Sequence, residues 1–277
     1  VDPDLEARLA EAGIDPAHPG DPAQAWRGLF AAVGLRATLV DRYELEAAAR
    51  GIAPEDLPAV VREALWQEVM VARYPGMELH GGHGGDPVEV VPYDPDWPAA
   101  FAAWRNRLAA ALGSTARRIE HVGSTAVPGL AAKPVIDIQV SVPDAADEAA
   151  FRPALEGLGL PLRTREPGHR CFRPPRGRPR EVQVHVCDAG GEWERIHLLF
   201  RDYLRAHPAA CEAYAALKQG LAGRFRGDRV AYNEAKSGFI LDLLERAEEW
   251  AQPAGWLAGG SEARRRRGPG RAPSLSP

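Results

Sequence analysis

The sequence has no apolar run of the roughly 18 or more residues that a membrane-spanning helix needs. Its opening stretch, VDPDLEARLAEAG, has neither the basic start nor the apolar centre of a secretory leader. A cytoplasmic protein outside the membrane is the expectation. Cysteine is scarce. Cys171, Cys187 and Cys211 are odd in number, far apart and form no C-x-x-C, which argues against a disulfide framework or a cysteine zinc site. Basic character is missing as well, since the formal net charge is −4, and nucleic acid is therefore not an expected partner. No P-loop or dinucleotide fingerprint occurs either.

What is present is an ordinary globular mixture, 45% hydrophobic and 26% charged, long enough for one large domain or two modest ones. Residues 1–85 carry 7 Arg and no Lys against 14 Asp plus Glu. This acidic segment reads as a small helical domain. In DPAQAWRGLFAAVG, Asp21 suits an N-cap, Pro22 the first helical position, and Trp26, Leu29, Phe30 and Val33 one face. APEDLPAVVREALWQEVMVARYPG repeats the pattern with Leu57, Val61, Leu65 and Val69. A linker with His80 and His83 among glycines, HGGHGG, places a boundary near residue 85.

From residue 86 strands and helices alternate: a short strand VEVVPYD, a helix over PDWPAAFAAWRNRLAAALG, and a strand RRIEHV. The stretch HVGSTAVPGLAAKPVIDIQV follows, then a helix DAADEAAFRPALEGLG, two strands across 169–187, and three helices over about 193–250. This domain is expected to span 86–251, with a disordered Arg/Gly/Pro tail over 252–277.

The chemistry concentrates in two strands and the turn before the first of them. A Gly123–Ser124–Thr125 turn directly after a strand lets backbone N–H groups and hydroxyls converge on an anion, although such a turn alone is common. In VIDIQV the period of two sets Val135, Asp137 and Gln139 against Ile136, Ile138 and Val140, so an aspartate interrupts a strand that otherwise reads as buried. Either it serves a site, or that face is wet. REVQVHV alternates in the same way, with Glu181, Gln183 and His185 on one face, and pairing beside 134–140 would bring His185 to Asp137. Cations are plentiful nearby. Lys133 precedes the aspartate strand, and Arg170 and Arg173 bracket the apolar Cys171–Phe172 of a strand in an Arg-rich segment whose remainder, 174–180, suits a solvated loop. Lys236 shares a helical face with Tyr232, Phe239, Ile240 and Leu243, so it needs either an anion or a path to solvent.

VPYDPDWP, HVGSTAVPGLAAKPVIDIQV, FRDYLRAHP and YAALK…NEAKSGFI, in this order over about residues 88–250, resemble the GrpB family of the nucleotidyltransferase-fold superfamily. The resemblance implies an α+β fold, a mixed β-sheet flanked by helices, beside the N-terminal all-helical domain. It also implies a Gly-Ser turn followed by an acidic-x-acidic pair that holds a divalent metal on nucleotide phosphates. Gly123, Ser124 and Asp137 match, whereas Gln139 stands where the second acid belongs and Gln183 where a histidine partner of His185 belongs. The resulting expectation is nucleoside triphosphate bound by Gly123, Ser124, Thr125, Lys133, Arg170, Arg173 and Lys236. Asp137 and His185 would be catalytic and would hold Mg²⁺ or another divalent ion. The alternatives are a catalytically degenerate module that binds a nucleotide or acidic ligand, and a protein-interaction module using the acidic helical segment. GrpB-like domains also occur fused to a coenzyme A biosynthetic kinase, but no kinase motif appears in this chain.

Overall fold

The computed structural model describes residues 3–80, 87–175 and 177–258. The boundary expected near residue 85, including His83, and the tail beyond residue 258 lie outside the described residues. The architecture is α+β. Six strands, β1 (Glu78–Leu79), β2 (Arg118–Val122), β3 (Ile136–Val142), β4 (Leu162–Glu166), β5 (His169–Phe172) and β6 (Val182–Asp188), form one sheet in the order β1-β4-β5-β6-β3-β2. The neighbours β3 and β6 are parallel and the other pairings are antiparallel, so the sheet is mixed.

The two-residue alternation divides that parallel pair cleanly. Ile136, Ile138, Val140 and Val142 with Val182, Val184 and Val186 form an apolar face. It packs on α5 (Trp97–Leu112) and α6 (Arg152–Gly157) through Trp97, Leu108, Leu112 and Leu155. Each such side chain contributes about 1.5–3 kcal/mol by leaving water. Gly113, at φ 53°, terminates α5. The opposite face carries Asp137, Gln139, Gln183 and His185, and α7 (Glu192–Ala206) covers part of it. The register sets Asp137 beside Gln183 and Gln139 beside His185.

Three segments depart from the sequence reading. VEVVPYD forms only one antiparallel bridge, Val91 to Ala132, because its neighbours Pro92 and Pro95 limit pairing. The helix expected over 144–159 is shortened to a 3-10 turn and α6. The start of the Arg-rich segment forms β4, where Arg165 donates to Glu148 and to Glu78 of β1. Four helices rather than three complete the C-terminal part: α7, α8 (Pro208–Arg224), α9 (Arg229–Glu234) and α10 (Ser237–Ala251). Among the described residues no helix is long and apolar enough to cross a membrane.

The first 80 residues supply α1 (Pro3–Glu11), α2 (Pro22–Val33), α3 (Leu39–Arg50) and α4 (Ala59–Arg73). Asp21 caps α2 and Thr38 closes a capping box with Asp41 on α3. Their core, with Trp26, Leu29, Leu45 and Val69, also takes in Ala231 from α9, with Phe225, Val230 and Ala235 packed against it. β1 joins the sheet edge. Arg73 of α4, almost fully buried, donates to Glu234 of α9 and to the carbonyls of Leu35 and Ala37. The helical segment therefore has its own core but shares one face of it with α9.

Removing one partner of a buried ion pair strands the other charge. Arg73→Met is expected to lower the unfolding free energy by about 3 kcal/mol, and Arg73→Met with Glu234→Leu to restore most of it. Urea denaturation of both variants checks this, and equal losses in the two would contradict it.

Candidate functional site

At the C-terminal end of β2 the chain turns at Gly123, whose φ of 69° favours glycine. A side chain is excluded here by space as well. A Cβ on Gly123 would lie 2.5 Å from Asp137 Oδ2, so the backbone of the turn rests directly against the aspartate. Ser124 then opens a 3-10 turn, Ser124–Ala126. Thr125 is pinned behind it: its hydroxyl donates to the Val135 carbonyl at 3.1 Å and lies 2.9 Å from His121 Nε2. That hydroxyl is committed to holding the turn on the strand.

A cavity of about 250 Å³ opens in front of this turn. Gly123, Ser124 and Thr125 line it, with Lys133, Asp137 and His185 from the sheet side. Lys218 of α8, Arg229 and Tyr232 of α9, and Lys236 close it from the helices. Arg180 and Gln183 form its lower edge, where Arg180 Nη2 donates to Gln183 Oε1 at 2.6 Å. Tyr232 is the hub of the helical wall. Lys133 Nζ lies 5.0 Å and Lys236 Nζ 4.6 Å from its ring centre, and Lys133 also donates to Asn233 Oδ1 at 3.1 Å.

Sequence reasoning brought Gly123, Ser124, Thr125, Lys133, Asp137, His185 and Lys236 to one site, and all seven line the cavity. Arg170 does not. It alternates with His169 and Cys171 on β5, so it points to the opposite face, where it donates to Glu148 Oε1 at 2.6 Å and to the Glu166 carbonyl. Arg173 is half-buried outside the lining, near enough to Arg180 to oppose that residue's charge. Conversely, Arg180 leaves the expected solvated loop and faces the cavity. Lys218, Arg229, Tyr232 and His197 were not foreseen, because three helices distant in sequence bring them in. The period-two parity of β5 was the one available signal against Arg170.

Charge in this cavity is crowded. Burial drives Lys133 well below the ordinary lysine value, and Lys236, Arg229 and Arg180 push it further down. Burial likewise brings Lys236 down to about 8 and Lys218 to about 7. Burial works to raise the Asp137 carboxyl, but His185, Lys133 and Arg180 outweigh it and hold it below its ordinary value. His185 is locked in a ring cluster. His169 Nε2 lies 2.9 Å from its Nδ1, Gln183 Nε2 lies 3.1 Å from its Nε2, and His185, His169 and His197 all stack on Trp193 of α7. Burial depresses His197 to about 3, which keeps it neutral.

Asp137 and His185 are the residues expected to hold a divalent ion. His185 Nε2 and Asp137 Oδ1 are 3.8 Å apart, but both ring nitrogens of His185 already have neighbours. Gln139, at the second-acid position, is 0% exposed and hydrogen-bonds Ser141 Oγ at 3.4 Å, outside the cavity lining. Among the described residues no group of three or more His, Cys, Asp or Glu side chains is arranged to hold a metal. This donor set falls short of a metal centre made by protein alone, and far short of a two-ion site.

A second hollow of about 650 Å³ lies behind the same turn, between Phe101, His121, Arg201 and Arg205. Its arginines are already engaged: Arg201 Nη1 donates to Glu120 Oε2 at 2.8 Å and Nε to Asp202 Oδ1 at 2.8 Å, and Arg205 donates to the Ala126 carbonyl. These residues buttress the turn from behind.

Fold and cavity together define an α+β domain with a mixed sheet and a cavity lined by basic side chains at a Gly-Ser turn beside its two parallel strands. The chain belongs to the GrpB family, whose model, described as GrpB protein, matches residues 87–246. It is 41% identical over 164 residues to a UPF0157 protein of Halalkalibacterium halodurans, covering 58% of this chain and 82% of that one. It is 40% identical over 171 residues to a UPF0157 protein of Streptomyces coelicolor, covering 62% and 90%. A dephospho-CoA kinase of Mycolicibacterium paratuberculosis is 37% identical over 196 residues, covering 61% of this chain and 48% of that longer protein. Among solved structures, the conserved protein GrpB from Enterococcus faecalis is similar with a TM-score of 0.53 and 30% identity, over 58% of this chain and 99% of that one. The N-terminal helices lie outside the family match.

Gly123→Ala puts a Cβ into the Asp137 carboxylate and an L residue at positive φ. It is expected to cost about 1–2 kcal/mol and to displace Asp137. Thermal unfolding and the Asp137 carboxyl chemical shift check this, and an unmoved Asp137 signal would contradict it.

Proposed function

We propose that the cavity binds the phosphate portion of a nucleotide or another phosphorylated small molecule. The observation that carries this reading is the convergence of the Gly123–Ser124 turn with Lys133, Arg180, Lys218, Arg229 and Lys236 around one carboxylate, Asp137. Crowding these basic groups, Lys218 buried and the others half-buried, around one carboxylate is unfavourable, and a phosphate group supplies both charge and hydrogen-bond acceptors. At about 250 Å³ the space suits a phosphate chain, and the rest of a nucleotide-sized ligand would extend outward, since full ligand pockets run to roughly 300–1,000 Å³.

Nucleotidyl transfer is the reaction class that a nucleotidyltransferase-like fold suggests for such a ligand. In that reading Asp137 and His185 stand nearest the reacting phosphate, and rate comes from positioning and charge stabilisation. A second reading, ligand binding without turnover, is favoured by Gln139, whose neutral and wholly buried side chain replaces the second acid. The relationship to chains named dephospho-CoA kinase is compatible with either, since such a name concerns a phosphorylated small molecule.

Labelled nucleoside triphosphates incubated with Mg²⁺ or Mn²⁺, wild type beside Asp137→Ala, separate the two. Transfer is expected to be lost in the variant under the first reading. Binding with no product in either protein supports the second, and no binding of any phosphorylated compound removes both.

The affinity for phosphate also carries a pH signature. Lys236 loses its proton near pH 8 and Lys218 near 7 in the empty cavity, while Asp137 stays ionised throughout. Deprotonation removes positive charge, so binding is expected to weaken as pH rises from about 7 to 9. Arg180, which burial lowers to about 10, keeps most of its charge over this range, and the neutral His197 and Tyr232 add none. Calorimetric titration at the two ends checks this, and affinity that is flat or rising with pH would contradict it.

A further inference from the structure

Lysine is rare in this chain. Of 34 Lys plus Arg residues only three are lysine, Lys133, Lys218 and Lys236, and all three line the same cavity. Placed without regard to function over 277 positions they would scatter. Instead they come from three separate elements: the loop before β3, helix α8, and the junction of α9 with α10. Among the described residues, ion pairs with carboxylates are made by arginine or histidine, and no lysine takes part in one. Arginine does the general electrostatic work of this protein, and lysine is kept for the cavity.

The chemistry of the two cations explains the division. A guanidinium is a broad planar fork suited to pairing with carboxylates, whereas an ammonium is a compact point charge with three rotatable donors. Three ammonium groups can face a chain of phosphates inside about 250 Å³ where three guanidinium forks would crowd one another. Each lysine is also held in place by neutral groups. Lys218 donates to the Ala131 carbonyl and lies 4.6 Å from the Tyr214 ring centre, and Lys133 and Lys236 flank Tyr232. These contacts orient the ammonium groups without neutralising them.

The same count bears on the metal. Five cationic side chains and one carboxylate line the cavity, and no cluster of three metal-holding side chains occurs among the described residues. A divalent ion would compete with five basic side chains for that one carboxylate and would be repelled by those that are protonated. With all three lysines protonated against a bound anion, the five basic groups exceed the carboxylate by four charges, of which an orthophosphate dianion offsets half, whereas a diphosphate or triphosphate brings about three to four negative charges, its terminal group titrating near pH 6.

Resting on the phosphate reading above, we propose that the cavity recognises an oligophosphate chain, a diphosphate or triphosphate rather than a single phosphate, and that the three lysines neutralise it in place of a divalent ion. Asp137 then offsets part of the positive charge of the lysines and does not coordinate metal.

Calorimetry with tripolyphosphate, pyrophosphate, orthophosphate, ATP and AMP, each in EDTA and in excess Mg²⁺, tests this on the unmodified protein. The expected result is binding of tripolyphosphate, pyrophosphate and ATP in EDTA, at least about tenfold tighter than orthophosphate and AMP, and weakening by Mg²⁺. Asp137→Asn, a near-isosteric change, is expected to keep or improve that affinity, and Lys236→Met to reduce it by about tenfold or more. Binding that requires Mg²⁺ and disappears in folded Asp137→Asn would overturn the proposal while leaving the phosphate reading intact. Orthophosphate binding as tightly as tripolyphosphate would overturn the oligophosphate assignment. No binding of any of the five compounds would remove both.

Discussion

Holding several positive charges in one small space, with a single carboxylate among them, is the constraint on which the rest of this structure depends. Lys133, Lys218 and Lys236 all sit below the ordinary lysine value, first because burial penalises the charged form and then because other cations lie close. The fold maintains this unfavourable arrangement with neutral supports: the Tyr232 and Tyr214 rings, the Ala131 carbonyl and the Asn233 amide. Such an arrangement is stable in the absence of ligand only because the surrounding core over-determines it, and it favours whatever anion can enter.

Each layer of the protein contributes to that support. The parallel pair β3 and β6 places Asp137 and His185 on one face and buries the alternate Ile and Val side chains on the other. The Gly123 turn closes against Asp137 because no side chain intervenes. Helix α9 supplies Arg229, Tyr232 and Asn233 to the cavity while its other side, through Ala231 and Glu234, is gripped by the N-terminal helices. The segment outside the family match thus holds one wall of the candidate site. Arg73 and Glu234 form one link between them, beside Arg36 with Asp242 and Glu245 and Arg224 with Glu44.

Much of this was readable in the sequence, and the parts that were not have physical reasons. Asp137 and His185 emerged from the alternation of two strands, and Lys236 from its place on an apolar helical stripe. Alternation also contained the argument against Arg170, since its neighbours His169 and Cys171 share the face of His185 and it does not. Helix α3 was missed because Asp41, Arg42 and Glu44 are buried there, and a helix with buried charges shows no clean apolar stripe. Lys218, Arg229 and His197 belong to helices whose meeting point is fixed by tertiary packing, which no local period reveals. Arg180 looked like part of a solvated Arg/Pro loop until the sheet carried it to the cavity edge.

Because the chain has only three lysines, their side-chain nitrogens can be watched one by one. Nuclear magnetic resonance of protein carrying ¹⁵N at lysine Nζ, titrated with tripolyphosphate in EDTA, is the most direct test of the central claim. Three signals moving together, with one shared affinity and a shift toward the fully protonated form, are predicted. Signals that stay still, or a single lysine that responds alone, would contradict the account.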